Sequence, residues 1–365
     1  MVRLGLEVGS GWPASAWESG GVRLPSPAMS RFSPEACHGP LLESAPRRLR
    51  ITDETDLSAW RAAATATLRA LLGEAPAEVP IDVRVEWVRE HERFTEKRFL
   101  FAAEANADVP AHLLLPRTRG GPWPLIICLQ GHTTGMHVSL GRDASGASAA
   151  AEGDRDFAIQ AVERGFAALA IEQRCFGERS DRRPKGHRLE VTCHHASMTA
   201  LLLGRTMIGE RVWDVRRAID AIEAFPEVDN RRIGCMGNSG GGTITYFAAC
   251  LDERIRAAMP SCYVCTFKDS IASLDHCADN YVPGILRYFE MSDLAGLIAP
   301  RPLVVVAGRE DPIFPFHAVE RTCREIETIY ARQDAAHRFR LVVGEGGHRF
   351  YAEQGWRAFR ETTGW

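Results

Sequence analysis

The sequence predicts an α/β protein: a mostly parallel central sheet with helices on both faces, entered through a short antiparallel meander. Three observations carry that expectation. Uniformly apolar runs such as "LIICLQ", "FAALAIE" and "RPLVVVAG" read as strands buried on both faces. Segments of helical period alternate with them to the end of the chain, the pattern of repeated β-α-β units. Ahead of them, three β-like stretches separated by short polar connectors read as hairpin-linked strands.

The elements follow in order. Residues 1–50 are rich in Gly, Pro, Ser and Ala without a clear period, and are read as an irregular extension, with Met29 as an alternative start. A single catalytic-size domain is expected over residues 51–365. It opens with "DLSAWRAAATATLRALLGE", where Leu57, Trp60, Ala64, Leu68 and Leu71 recur at helical spacing and Gly73 is placed to stop the helix. The meander comprises residues 82–90, 96–104 and 110–116. "LIICLQ" is the next strand, "RDFAIQAVERG" a helix and "FAALAIE" a strand. "GERVWDVRRAIDAIEAF" is a helix, "RRIGCMG" a strand, "GGTITYFAACL" a helix and "RIRAAMPS" a strand. "RPLVVVAG", "PFHAVERTCREIETIYARQ" and "FRLVVGEGG" read strand, helix, strand, and a last helix begins near Phe350.

The bulk numbers narrow the function. A net charge of −3 over 365 residues gives no reason to expect nucleic acid or an acidic membrane as partner. No apolar run reaches the roughly 18 residues a membrane helix needs. The N-terminus lacks the apolar core of a secretory signal, so a cytoplasmic protein is expected. Several of the ten cysteines sit inside strand-like runs, where cysteine behaves as a small hydrophobe. "CYVC" at Cys262–Cys265 has metal-type spacing but no second pair to complete a site, so packing is expected there.

One stretch asks for a special explanation. "GCMGNSGGGT" (Gly234–Thr243) contains five glycines around one serine. Glycine inside an element costs roughly 0.5–1 kcal/mol relative to alanine, so the glycines need a steric reason. Gly237-Asn238-Ser239-Gly240-Gly241 is G-x-S-x-G between a buried strand and a helix, the nucleophile elbow of α/β-hydrolases. Small residues two before and two after the serine clear the close strand–helix contact, while the turn aims the hydroxyl over the sheet edge. Downstream, Asp311 follows the strand "VVVAG" and His348 follows "LVVGEGG", giving the order Ser…Asp…His. Serine needs a base to become a nucleophile. His348 would supply it, and Asp311 would hold its tautomer. Glu310 is the adjacent rival for the acid, with Pro312 favouring Asp311. The Gly240 N–H, next to the nucleophile, is one candidate oxyanion donor. The backbone N–H of His132, in "GHTTG", is the other.

On these residues the chain resembles an α/β-hydrolase of the acetyl xylan esterase and cephalosporin C deacetylase type, with dienelactone-hydrolase-like relatives. The resemblance runs from about residue 82 to the C-terminus. It rests on "LQGHTTG", "GERVWDVRRAIDAIEAFPEVDNRRIGCMGNSGGG", "AGREDPIFP" and "GEGGH". It implies a Ser239–His348–Asp311 triad, oxyanion donors at Gly240 and His132, no cofactor, and hydrolysis of a small acyl ester. The chain departs from the family pattern in carrying Gln130-Gly131 where relatives have His-Gly, and "GNSGGG" where carbohydrate esterases have "GGSQGG".

Two insertions, 174–209 and 262–293, leave the carboxyl ends of strands and are expected to overhang Ser239 as lid or pocket wall. Tyr281 and Tyr288, with Phe289, are candidate stacking residues for an aromatic or sugar ring, against ordinary packing. The run "ERSDRRPKGHR" is read as a solvated face, against a binding site for an acidic substrate group. "CHH" (Cys193–His195) with His187 is a candidate metal cluster, but none is needed for serine chemistry and no metal is expected. A small-molecule ester is the expected partner. The rival readings are an aminopeptidase or amidase on the same triad, which lacks room for the propeller of prolyl peptidases, and a non-catalytic binding protein of the same fold.

Overall fold

The computed structural model describes residues 33–118, 120–149, 152–180 and 192–365. His187 and most of the "ERSDRRPKGHR" run lie outside the described residues. The chain divides into one unit ending at Ala45 and a second, Pro46–Trp365. In the first, a helix α1 (Pro34–Glu43) forms where no period is visible in the sequence, capped by the Ser33 hydroxyl accepting the Glu35 N–H at 3.2 Å.

The second unit begins with α2 (Leu57–Leu72), whose N-cap Asp56 accepts the Ser58 and Ala59 N–H groups. Its buried stripe is Trp60, Ala64, Leu68 and Leu72. Leu57 and Leu71 are only half-buried, so the face is rotated slightly from the one the sequence suggests. Strands β1 (Arg84–Glu90), β2 (Phe94–Glu104) and β3 (Ala107–Pro116) form the antiparallel meander. Then come β4 (Trp123–Leu129), α3 (Phe157–Glu163), β5 (Ala167–Ile171), α4 (Thr192–Leu202), α5 (Met207–Ala221), β6 (Val228–Asn238) and α6 (Gly240–Leu251). The remainder is β7 (Ile255–Ser261), α7 (Met291–Ile298), β8 (Leu303–Gly308), α8 (Phe316–Ala331), β9 (Phe339–Gly344) and α9 (Ala352–Thr363).

The nine strands of the described residues form one sheet in the order β1-β2-β3-β5-β4-β6-β7-β8-β9. The β3–β5 join is antiparallel, and every pairing from β5 to β9 is parallel. The exchange of β4 and β5 in the order is a topological switch point, beside which open sheets of this kind bind ligands. In β4, Leu125, Ile127 and Leu129 pack into one core while Ile126 and Cys128 pack into the other. That two-sided burial explains the unbroken apolar run. One core is completed by α2 and α5–α8, the other by α3 and α9. The architecture is that of an α/β-hydrolase, and the loops leaving the carboxyl ends of the parallel strands β4–β9 lie on one edge of the sheet.

Candidate active site

Ser239 sits between β6 and α6 with φ 57° and ψ −124°, a conformation that L side chains rarely adopt. The turn closes through Ser239 N–H donating to the Ser261 carbonyl at 2.9 Å. A Cβ at Gly237 would lie 2.5 Å from the Leu129 carbonyl oxygen, and one at Gly241 would overlap the same atom. Backbone therefore packs on backbone here, which answers why glycines crowd the serine.

Asp311 lies in the loop after β8. One carboxylate oxygen accepts the Ile313 and Phe314 N–H groups, at 2.9 and 3.2 Å. The other lies 2.8 Å from His348 Nδ1. Burial raises the Asp311 pKa, but the His348 hydrogen bond and charge, with the two backbone donors, outweigh it and hold the carboxyl below its ordinary value. The carboxylate thus accepts from Nδ1–H and leaves Nε2 as the basic nitrogen. Phe314 stacks on the imidazole, 5.8 Å between ring centres. Glu310 is exposed, and its neighbour Asp311 is the one that meets His348.

Ser239 and His348 line one cavity of about 340 Å³, together with Gly131, His132, Arg155 and the insertion residues Leu274–Cys277. The insertion after β7 therefore reaches the cavity. Tyr281 and Tyr288 are not among the described residues that line it. The Tyr281 hydroxyl is tied to the Ile271 carbonyl at 3.0 Å. Tyr288 packs against the core and under Arg48 and Arg287.

His132 brings a network that sequence reasoning missed. Its Nε2 lies 3.0 Å from Asp279 Oδ2, which also accepts from Arg211 Nη1 at 2.7 Å. Arg211 and Asp279 are both almost fully buried. Burial lowers the His132 pKa, but Asp279 overrides it and raises the group to about 9. The Asp279 carboxylate thus favours the imidazolium form of His132. Next to Asp279, Asn280 Oδ1 accepts the Thr243 hydroxyl on α6 at 2.9 Å. Beneath the same loop, Glu172 accepts from Gln130 Nε2 at 2.7 Å and from the Met136 N–H at 3.0 Å. Burial pushes the Glu172 carboxyl up to about 7. Gln130, the departure from the family pattern, thereby acquires a structural role. Only the "GER" of α5 was visible as a signal, and its partner Asp279 is 68 positions away.

Among the described residues, two sets of side chains each bring their donor atoms within 4.8 Å of one another: His132, Cys193, Cys277 and Asp279, and Cys262, Asp311 and His348. The second contains the His348–Asp311 pair itself. Cys262 and Cys265 are buried in the core, each with a sulfur–carbonyl contact, to Arg349 and Pro315 respectively.

A strained strand-to-helix serine, an Asp–His pair on the following strand ends and a shared cavity are the arrangement of an α/β-hydrolase suited to acyl transfer. Residues 74–295 match the acetyl xylan esterase (AXE1) family, and the chain belongs to it. It is a carboxylic ester hydrolase of the serine type. The Bacillus subtilis (strain 168) protein "Putative hydrolase YtaP" is 29% identical over 281 residues, covering 76% of this chain and 90% of that protein. The fold is shared with a Bacteroides fragilis NCTC 9343 structure named "putative acetyl xylan esterase", with a TM-score of 0.71 and 14% identity over 93% of this chain and 91% of that one. A glucuronoyl esterase from Solibacter usitatus has a TM-score of 0.63 and 16% identity, over 87% of this chain and 96% of that one. Among the described residues, no helix is long and apolar enough to cross a membrane.

Proposed function

We propose that Ser239, His348 and Asp311 are the catalytic triad of an esterase that removes small acyl groups, of acetyl type, from a carbohydrate or similar small-molecule alcohol. The carrying observation is the 2.8 Å His348–Asp311 hydrogen bond on the wall of the cavity that Ser239 also lines. His348 Nε2 takes the Ser239 proton as Oγ attacks the ester carbonyl. It then returns that proton to the leaving alcohol, and water repeats the sequence on the acyl-enzyme. Asp311 stabilises the imidazolium and fixes its tautomer. The N–H of Gly240, the first residue of α6, has no partner within its own helix. It and the His132 N–H are the proposed oxyanion donors, each worth about 3–4 kcal/mol in the transition state. The His132 imidazolium adds positive charge near the developing oxyanion.

A cavity of about 340 Å³ lies at the small end of ligand sites and suits a short acyl group better than a long chain. The family supports acetyl esters of sugars, though the alcohol is the less constrained half. We place the protein in the cytoplasm on its cysteine usage, since eight of the ten cysteines are buried, where they pack as small hydrophobes. Ser239→Ala tests the reading. Hydrolysis of p-nitrophenyl acetate should fall at least ~10⁴-fold with an unchanged circular-dichroism melt. Retained activity in the variant would overturn the assignment. A parallel acyl-length series should favour acetyl.

A further inference from the structure

Of the group His132, Cys193, Cys277 and Asp279, the two cysteines have no part in the proposed esterase chemistry. Cys193 sits in the first turn of α4, and Cys277 precedes the turn Ala278–Asn280 in the other insertion. Their sulfurs lie 2.8 Å apart, although 84 positions separate them in the chain. Two thiolates sharing a zinc ion sit at about 3.8 Å from each other, given zinc–sulfur bonds of roughly 2.3 Å in a tetrahedron. The carboxylate oxygen that would complete such a site already accepts from both Arg211 and His132. The sulfurs are therefore too close, and the oxygen too occupied, for a shared cation. A sulfur–sulfur bond of about 2.05 Å needs only a short further approach.

We propose that Cys193 and Cys277 are a redox-modification site, a dithiol that closes to a disulfide and staples α4 to the turn carrying Asp279 and Asn280. The oxidant is a small disulfide of the glutathione class. Cys277 is half-buried and lines the cavity, so it is the sulfur an oxidant reaches, whereas Cys193 is buried. Cys277 Sγ attacks one sulfur of the oxidant RSSR, giving a mixed disulfide and releasing one RSH. Cys193 Sγ then attacks Cys277 Sγ and releases the second RSH. Two S–H bonds and one S–S bond become one new S–S bond and two thiols, with two electrons and two protons passed to the oxidant. The hydrogen bond shared with Cys193, and then burial, hold the Cys277 thiol well above its ordinary range, and neighbouring His132 only partly offsets them, so closure rests on the closeness of the two sulfurs and not on an activated thiolate. The pairing of an accessible cysteine with a resolving neighbour is the arrangement of redox-sensitive sites.

The bond would act on the esterase through two contacts already in place. Asp279 holds the His132 loop, and Asn280 holds Thr243 one turn beyond Ser239. Closing the staple pins that turn without requiring either contact to change.

The experiment uses the full chain treated with oxidised glutathione, denatured, alkylated and read by intact mass and peptide mapping. The expected product is one intramolecular link between the peptides of Cys193 and Cys277, with the protein lighter by two hydrogens before alkylation. The oxidised form should melt ~5 °C or more above the reduced form. Cys193→Ser and Cys277→Ser should each show no such link and no such shift. Alkylation of both cysteines after oxidant, a link to a different cysteine, or an unchanged melting midpoint would each overturn the proposal. So would one equivalent of zinc retained by the reduced wild type and lost in Cys193→Ser. None of these readouts uses esterase activity, so a failure here is distinct from a failure of the catalytic assignment.

Discussion

Ser239 and His132 line the same cavity, yet different forces hold them. At the elbow, backbone packs on backbone: β6 and α6 approach β4 so closely that Gly237 and Gly241 leave no room for a side chain. At the His132 loop, buried charges do the holding: Asp279 bridges His132 and Arg211, and Glu172 ties Gln130 and Met136 from beneath. Close packing is indifferent to pH, and a buried charge network is not. The proposed nucleophile Ser239 should therefore be geometrically rigid under all conditions, while the proposed oxyanion donor His132 should respond to protonation and to changes in the insertions.

That contrast can be broken from either side. The largest expected effect is Asp279→Ala, which leaves the fully buried Arg211 without its carboxylate. Breaking such a pair costs about 3–5 kcal/mol, read as a lower urea midpoint, and kcat/KM should fall as the His132 loop loosens. If both quantities are unchanged, charge is not what positions the loop. Gly241→Ala should cost about 3 kcal/mol by overpacking against the Leu129 carbonyl. Its loss of activity should be the same at every pH tested. A loss that varies with pH would mean the elbow is also electrostatic.

The smallest effect is the most specific. His132, faced by Asp279, Arg211 and Cys277, has its folded-state pKa raised from 6.5 to about 9. The folded protein then binds the extra proton more tightly, so this contribution is full below pH 6.5 and is lost as pH rises through 9. With 31% of the ring exposed, it amounts to no more than about 2 kcal/mol. Glu172, raised by burial from 4.5 to about 7, adds a fall of the same sign in a lower window. Urea melts from pH 6 to 10 should show the upper slope in the wild type and not in Asp279→Ala. An identical slope in the variant would assign it to some other group.

The two regions also differ in how far they could be read in advance. The elbow is a local pattern, so strand, turn, serine and helix lie within one stretch of sequence. Asp311 and His348 follow recognisable strands, and the ends of parallel strands converge on one edge. The network under His132 draws on residues 132, 172, 211 and 279, whose proximity no local pattern encodes. Helices α4 and α7 were hidden for a related reason. "TCHHASMTALL" has no clear apolar stripe, and all eight residues of α7 are buried, which removes the period that marks a surface helix. Tyr281 and Tyr288 lie outside the lining of the Ser239 cavity, and their place in an insertion could not tell which way they face.

By itself the sequence determined the alternation of strand and helix, the parallel sheet and the glycine-lined turn around Ser239, because period and steric exclusion act between near neighbours in the chain. Only the tertiary structure decided that Asp279 meets His132 and Arg211, that Cys193 meets Cys277, and that Leu274–Cys277 rather than the tyrosines wall the cavity. Those pairings depend on how long insertions fold back over the sheet. There the energy comes from contacts between residues dozens of positions apart.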